Sequence, residues 1–115
     1  MQYMLLLYAD EKAGSAIAPE DMAMWMEKMG EYAAALKKAN AFIATGGLGL
    51  TSAARTIHAD KDGLQVHDGP YADTREQLGG FYLIEAKHMD EAQSWAARCP
   101  AAQWGHVEIR EISPG

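Results

Sequence analysis

Cysteine occurs once, at Cys99, so no internal disulfide can close and the chain suits a reducing compartment. Basic residues are scarce: ten Lys and Arg stand against sixteen Asp and Glu, for a net charge of -6. A protein that touches several phosphates needs a basic stripe, so direct nucleic-acid binding is excluded. The densest positive spot, Lys37-Lys38, lies within about three turns of Glu27 and Glu31 and reads as a solvated helix face. No run approaches the ~20 apolar residues of a membrane helix. Leu5-Leu6-Leu7 ahead of Ala13-Gly14-Ser15-Ala16 has the outline of a signal peptide. That apolar run is too short and no positive residue precedes it, so a cytoplasmic location is expected.

Metal and cofactor signatures are missing as well. The four histidines and the lone cysteine form no HxH, HxxxH or CxxC pair, so no metal site is expected. Gly47-Leu48-Gly49 precedes a strand rather than a helix and is no dinucleotide fingerprint. No cofactor is expected. Cys99 falls at a helix C-terminus, where the negative dipole end disfavours a thiolate, and it reads as core.

What is present is one domain of 115 residues, a size that buries roughly two-thirds of its unfolded surface. Gln2 to Tyr8 is nearly continuous apolar sequence and reads as a strand buried on both faces. Asp10 to Ala18 reads as a loop. Pro19, followed by Glu20 and Asp21, opens a helix that runs to about Asn40. Met22, Trp25, Met26, Met29, Ala33 and Leu36 form its apolar stripe. Ala41 to Thr45 is a second strand. Arg55 to His58 and Leu64 to His67 flank the Asp60-Lys61-Asp62-Gly63 turn as a hairpin. Gly80 to Ala86 is a strand, Met89 to Cys99 a helix stopped by Pro100, and His106 to Arg110 a last strand.

The order β-α-β, hairpin, β-α-β predicts an α+β domain with a ferredoxin-like sheet and both helices on one face. The other face would then stay uncovered and apolar, which predicts a homodimer.

The segment from Asp68 to Tyr82 is the densest polar constellation. Asp68, Gly69 and Pro70 have the chemistry of a rigid turn: an Asx acceptor, freedom for positive φ, and a fixed φ. That structural role stands beside a functional one carried by Asp73, Thr74, Arg75 and Glu76. Arg75 has the fork for a carboxylate or phosphate, or for a salt bridge to Asp73 or Glu76. Gly79 and Gly80 admit a bulge or a close ligand. His67 and His106 are the candidate proton carriers, since either can titrate near neutral pH; adjacency alone does not pair His67 with Asp68.

The run Asp68-Gly69-Pro70-Tyr71-Ala72-Asp73-Thr74-Arg75-Glu76-Gln77-Leu78-Gly79-Gly80-Phe81-Tyr82-Leu83-Ile84 resembles the signature of YCII-related proteins of the DGPF type. Tyr3 to Tyr8 and Gly105 to Arg110 resemble the family's two ends. The resemblance implies a ferredoxin-like fold, usually a dimer with sheets packed face to face around a pocket (the dimeric α+β barrel), and a bacterial origin. Some relatives accompany sigma factors, and no general activity belongs to this branch. Tyr71 stands where the family name has Phe, and Asp73 and Arg75 where Glu and Lys are commoner. The smaller YCII-type proteins include enzymes with a His on the first helix and an Asp before a Pro after the second. Here Met29 lies near the first slot and Cys99 precedes Pro100, so that pair does not carry over.

Three readings follow. In the first, a homodimer binds a small organic ligand beside the loop, with Asp68, Tyr71, Asp73, Arg75 and Tyr82 as contacts and His67 or His106 as proton carrier. In the second, the domain is a non-catalytic module that binds a protein of the transcription machinery, such as a sigma factor. In the third, the motif serves folding alone.

Overall fold

Alternation along β1 (Gln2–Ala9) decides which side of the sheet becomes the core. The computed structural model describes residues 1–114 and buries Tyr3 and Leu5, while Met4 and Leu6, which alternate with them, stay half-buried. The strand was expected to be buried on both faces; only one is covered by this chain.

The chain continues as α1 (Glu11–Ser15), α2 (Pro19–Lys38), β2 (Phe42–Gly47), β3 (Arg55–Asp60), β4 (Gly63–Asp68), β5 (Gln77–Glu85), α3 (Met89–Arg98) and β6 (His106–Glu111). Four strands form an antiparallel sheet in the order β2-β5-β1-β6, and β3 with β4 forms a separate ribbon. The fold is a mixed α+β one with antiparallel sheets and three helices.

Both long helices lie on the face that carries Tyr3, Leu5, Tyr82 and Ile84. Tyr32 and Leu36 of α2, with Ala92 and Ala96 of α3, complete this core, closed at one end by Cys99 and Ala101. The Tyr32 ring meets Tyr82 edge-on at 5.2 Å, and its hydroxyl donates to the Trp95 carbonyl at 2.6 Å. A buried phenol needs such a partner, so one residue ties both helices to the sheet.

The stripe expected on α2 is only half right. Met22 and Met26 are 40% and 65% exposed, whereas Tyr32, outside that stripe, is buried. The first half of α2 stands off from the sheet across a cleft that Met26 and Met29 line with Leu7 and Gly80; the second half packs on the sheet. α2 ends where Asn40 turns left-handed at φ 58, with Ala41 N donating to Leu36 O and Asn40 N to Lys37 O. These two bonds are a Schellman stop.

The segment after β1 is a correction. In place of a loop, α1 forms because the Asp10 side chain accepts from Lys12 N at its start. Glu11 then ties α1 to the rest of the molecule. Its amide donates to Gln77 Oε1, and its carboxylate accepts from both the amide and the hydroxyl of Thr51. The Leu48–Ala54 stretch is thereby held over the end of the sheet.

Candidate functional site

On the uncovered face, cross-strand register gathers Met4, Leu6 and Tyr8 of β1 with Phe81 and Leu83 of β5 and His106, Glu108 and Arg110 of β6. A cleft of about 480 Å³ opens at the Tyr8 end of this face. Tyr8 and Leu78 come from the sheet, Leu48, Leu50 and Ala54 from the segment that Glu11 restrains, and Pro70, Ala72 and Thr74 from the Asp68–Gln77 loop. The lining is predominantly apolar. Its threonine and glutamine side chains are already engaged: Thr51 with Glu11, Gln77 with Glu11 and the Thr74 carbonyl, Thr74 with the Glu76 carbonyl. No charged side chain lines it. Such a cavity suits a small neutral molecule with a large apolar surface.

The loop is shaped as its composition demands. Gly69 takes φ 118, a region closed to most side chains, and its amide donates to Ala54 O at 2.7 Å. Thr56 Oγ1 donates to Gly69 O at 2.9 Å, so the turn is sewn to the base of the ribbon. Pro70 follows into the cleft wall. At the loop's other end Leu7 pairs with Gly80 but Tyr8 with Leu78, so Gly79 is the extra residue of a bulge. A side chain on Gly80 would press on Gly46 O at 3.1 Å.

The polar residues expected to meet a ligand are not gathered in this cleft. The loop turns Ala72 and Thr74 inward, which sends Tyr71, Asp73 and Arg75 to solvent; Tyr71 is 91% exposed. Asp68 is exposed and faces Arg55 at 3.7 Å, an ion pair of little energetic weight. Arg75 forms no ion pair with Asp73 or Glu76. Tyr82 points to the opposite face, where its hydroxyl lies 3.5 Å from Met29 O and burial pushes its pKa up. His67 sits exposed on the ribbon with its ring beside Gly69.

His106 is different. Its Nδ1 lies 2.7 Å from Glu76 Oε1, while the ring is largely open to solvent. A carboxylate only accepts, so Nδ1 carries the proton of this contact. Cross-strand pairing sets His106 opposite Tyr8, and Glu76 adjoins Gln77, so the pair borders the cleft. Beside it, Glu108 accepts from Arg110 Nε at 2.6 Å, which raises the guanidinium pKa further. Glu76 as partner of His106 was not visible in sequence, because the two are joined only by folding.

A model of the YCII-related domain matches residues 1–114 of the chain. The chain belongs to the YCII-related family. An uncharacterised protein of Rhizobium meliloti (strain 1021) is 33% identical over 115 residues, covering 98% of this chain and 93% of that protein. Among solved structures, the 5-chloro-2-hydroxyhydroquinone dehydrochlorinase of Burkholderia phenoliruptrix AC1100, in complex with 2,5-dihydroxybenzoquinone, aligns with a TM-score of 0.52 at 16% identity. That alignment covers 100% of this chain and 96% of the enzyme, and shows likeness of fold.

Within this YCII-related domain a second cleft, of about 400 Å³, lies on the helix side between Met26, Met29, Thr45, Gly80, Tyr82 and Trp104. Its only titratable groups are tyrosyl hydroxyls. Cys99, before Pro100, is 1% exposed, and burial pushes its thiol up, so it is neither nucleophile nor base at neutral pH. The other face carries the His106–Glu76 pair instead.

Proposed function

We propose that this YCII-related protein is a homodimer that binds a small, neutral, largely apolar organic molecule in the Tyr8–Leu50–Pro70 cleft. His106, oriented by Glu76, is its proton carrier. The observation that carries this reading is the 2.7 Å contact of His106 Nδ1 with Glu76 on the margin of a cleft without charged lining. Nε2 is then free to take a proton from an acidic O–H or C–H of the bound molecule, and Glu76 balances the imidazolium that forms. Asp73 and Arg75, on the outer side of the same loop, would meet any polar substituent that extends beyond the rim. Gly69, Pro70, Gly79 and Gly80 shape the loop.

The dimer rests on the open sheet face. The order β2-β5-β1-β6 with both long helices on one side supports a ferredoxin-like reading of the sheet, in which Met4, Leu6, Phe81 and Leu83 are left for a second sheet to cover. Two sheets packed in this way form the dimeric α+β barrel of the DGPF branch. That a protein of like fold holds a dihydroxybenzoquinone makes cyclic phenols and enols the first class to try.

A thermal-shift screen of phenols, small carboxylic acids and phosphates tests the reading. Phenols should raise the melting temperature, and phosphates should not. Ala54→Trp, which fills the cleft, should remove the shift, and His106→Ala should keep it while slowing deuterium exchange at an acidic C–H of a bound enol. No shift from any class, together with a stoichiometric complex with a sigma factor, would replace this function with that of a regulatory module.

A further inference from the structure

The β3–β4 ribbon has a two-sided composition that nothing in its own chain uses. Register sets Ile57 opposite Val66 and Ala59 opposite Leu64 on one face, and Thr56 opposite His67 and His58 opposite Gln65 on the other. One face is apolar and the other polar. Such alternation marks a ribbon with one covered side. Yet Ile57, Leu64 and Val66 are 62%, 66% and 59% exposed. The two strands pair with each other and join neither the four-stranded sheet nor a helix layer. A lone two-stranded ribbon is marginally stable in water, so an external surface has to hold it.

The shape of the chain agrees. Its radius of gyration is 16.1 Å, against roughly 13 Å for a compact domain of about this length. Its extents of 50 × 41 × 18 Å are those of a plate with an arm, not of a closed globule.

We infer that the ribbon is an arm whose apolar face lies on a second copy of this chain, and that this contact fixes the outer wall of the ligand cleft. The inference rests on the homodimer proposed above and adds a second contact to it. Continuity and area argue for a second copy. The arm leaves the molecule at Ala54 and returns at Pro70, and both line the cleft on the open face. A copy seated on that face therefore meets the arm beside it. Stable interfaces bury about 800 Å² per partner. The half-buried row Met4, Leu6, Phe81 and Leu83 is a narrow strip for that, whereas Leu48, Leu50 and the arm extend the apolar surface outward. Because Gly69 is bonded to Ala54 and Thr56, the position of the arm sets that of Pro70. The cleft of one copy is thus shaped by where its arm rests on the other.

Sedimentation of three proteins tests this: the wild type, the double variant Ile57→Lys with Val66→Lys, and, as control, His58→Lys with Gln65→Lys on the polar face. Wild type and control should be dimers, and the apolar-face variant should dissociate at a concentration about tenfold higher or more. A photo-crosslinker at Leu64, in a mixture of heavy- and light-isotope chains, should yield products joining the two kinds. This second readout decides the matter even where the lysine variant fails to fold. A dimer unaffected by the apolar-face variant, with crosslinks confined to single chains, overturns the arm and leaves the homodimer standing. A monomeric wild type overturns both.

Discussion

Buried residues with acidic protons, Tyr32 and Cys99 among them, make the domain sensitive to alkali. Burial pushes both pKa values up, from ordinary values of 10.0 and 9.0. A group whose pKa is raised on folding keeps its proton in the folded state while the unfolded chain releases it. Its contribution is therefore complete below the unfolded value and falls as pH rises beyond it, by up to about 1.4 kcal/mol per unit for each group. Stability measured by urea unfolding should begin to decline above about pH 9 and steepen above about pH 10. In Cys99→Ala the onset should move toward the tyrosine range. An onset left near pH 9 in that variant would refute this role for the thiol. At Gly105 the constraint is steric: an added Cβ would sit 1.9 Å from the Tyr8 carbonyl oxygen, where β6 begins alongside β1. Gly105→Ala should cost about 3 kcal/mol or more, read as a lowered urea midpoint. At this scale the sequence was legible in part. Gly69 and Pro70 declare a turn through their own backbone chemistry, but which loop side chains meet the cleft depends on a path set by Ala54 and Thr56. Tyr71, Asp73 and Arg75 carry the loop's conspicuous chemistry, and the small Ala72 and Thr74 face the cavity.

Among the elements, α1 is the one whose existence the sequence concealed. Five residues give no helical periodicity, and the signal is confined to one cap, Asp10. Its importance lies in Glu11, which joins α1, Thr51 and Gln77 into one unit beneath the cleft. Glu11→Ala should leave the Thr51 amide and hydroxyl without their acceptor and cost about 1–3 kcal/mol. The effect should be local: hydrogen exchange should quicken at Thr51 and its neighbours and stay slow at Leu5 and Ile84, which are fully buried. Uniform loss of protection would show that Glu11 supports the whole fold instead. The strands were read more easily than α1. β1, β5 and β6 announce themselves by apolar runs and alternation, and the β3–β4 hairpin by its Asp-Gly turn, where Gly63 adopts φ 119. α2 was found, but its stripe was overextended. Met22 and Met26 keep helical spacing where the helix stands off from the sheet across a cleft, and periodicity does not record how close a neighbour comes.

For the whole molecule, the decisive feature is that one sheet face has helices and the other has none. The apolar run Gln2 to Tyr8 reads as a doubly buried strand, yet the chain itself covers only one of its faces. Leu6 lies at the centre of that open face, with Phe81 and Glu108 as its cross-strand neighbours. Leu6→Lys places an ammonium where the proposed partner sheet would sit, without touching the core formed by Tyr3, Leu5 and Ile84. A charge enclosed between two sheets costs several kcal/mol, and the Glu108 carboxylate across the strand is already taken by Arg110, so the cost is enough to dissociate a dimer of ordinary affinity. The variant should therefore run as a folded monomer in light scattering, with the far-ultraviolet circular dichroism of the wild type. Retention of the dimer would put the contact elsewhere on the molecule. The same substitution bears on the cleft, because Leu6 and Tyr8 share a face. If two copies together complete the binding site, the monomeric variant should also lose the thermal shift given by phenols, although Leu6 itself does not line the cleft. Loss of dimer with retention of binding would instead confine the site to a single chain.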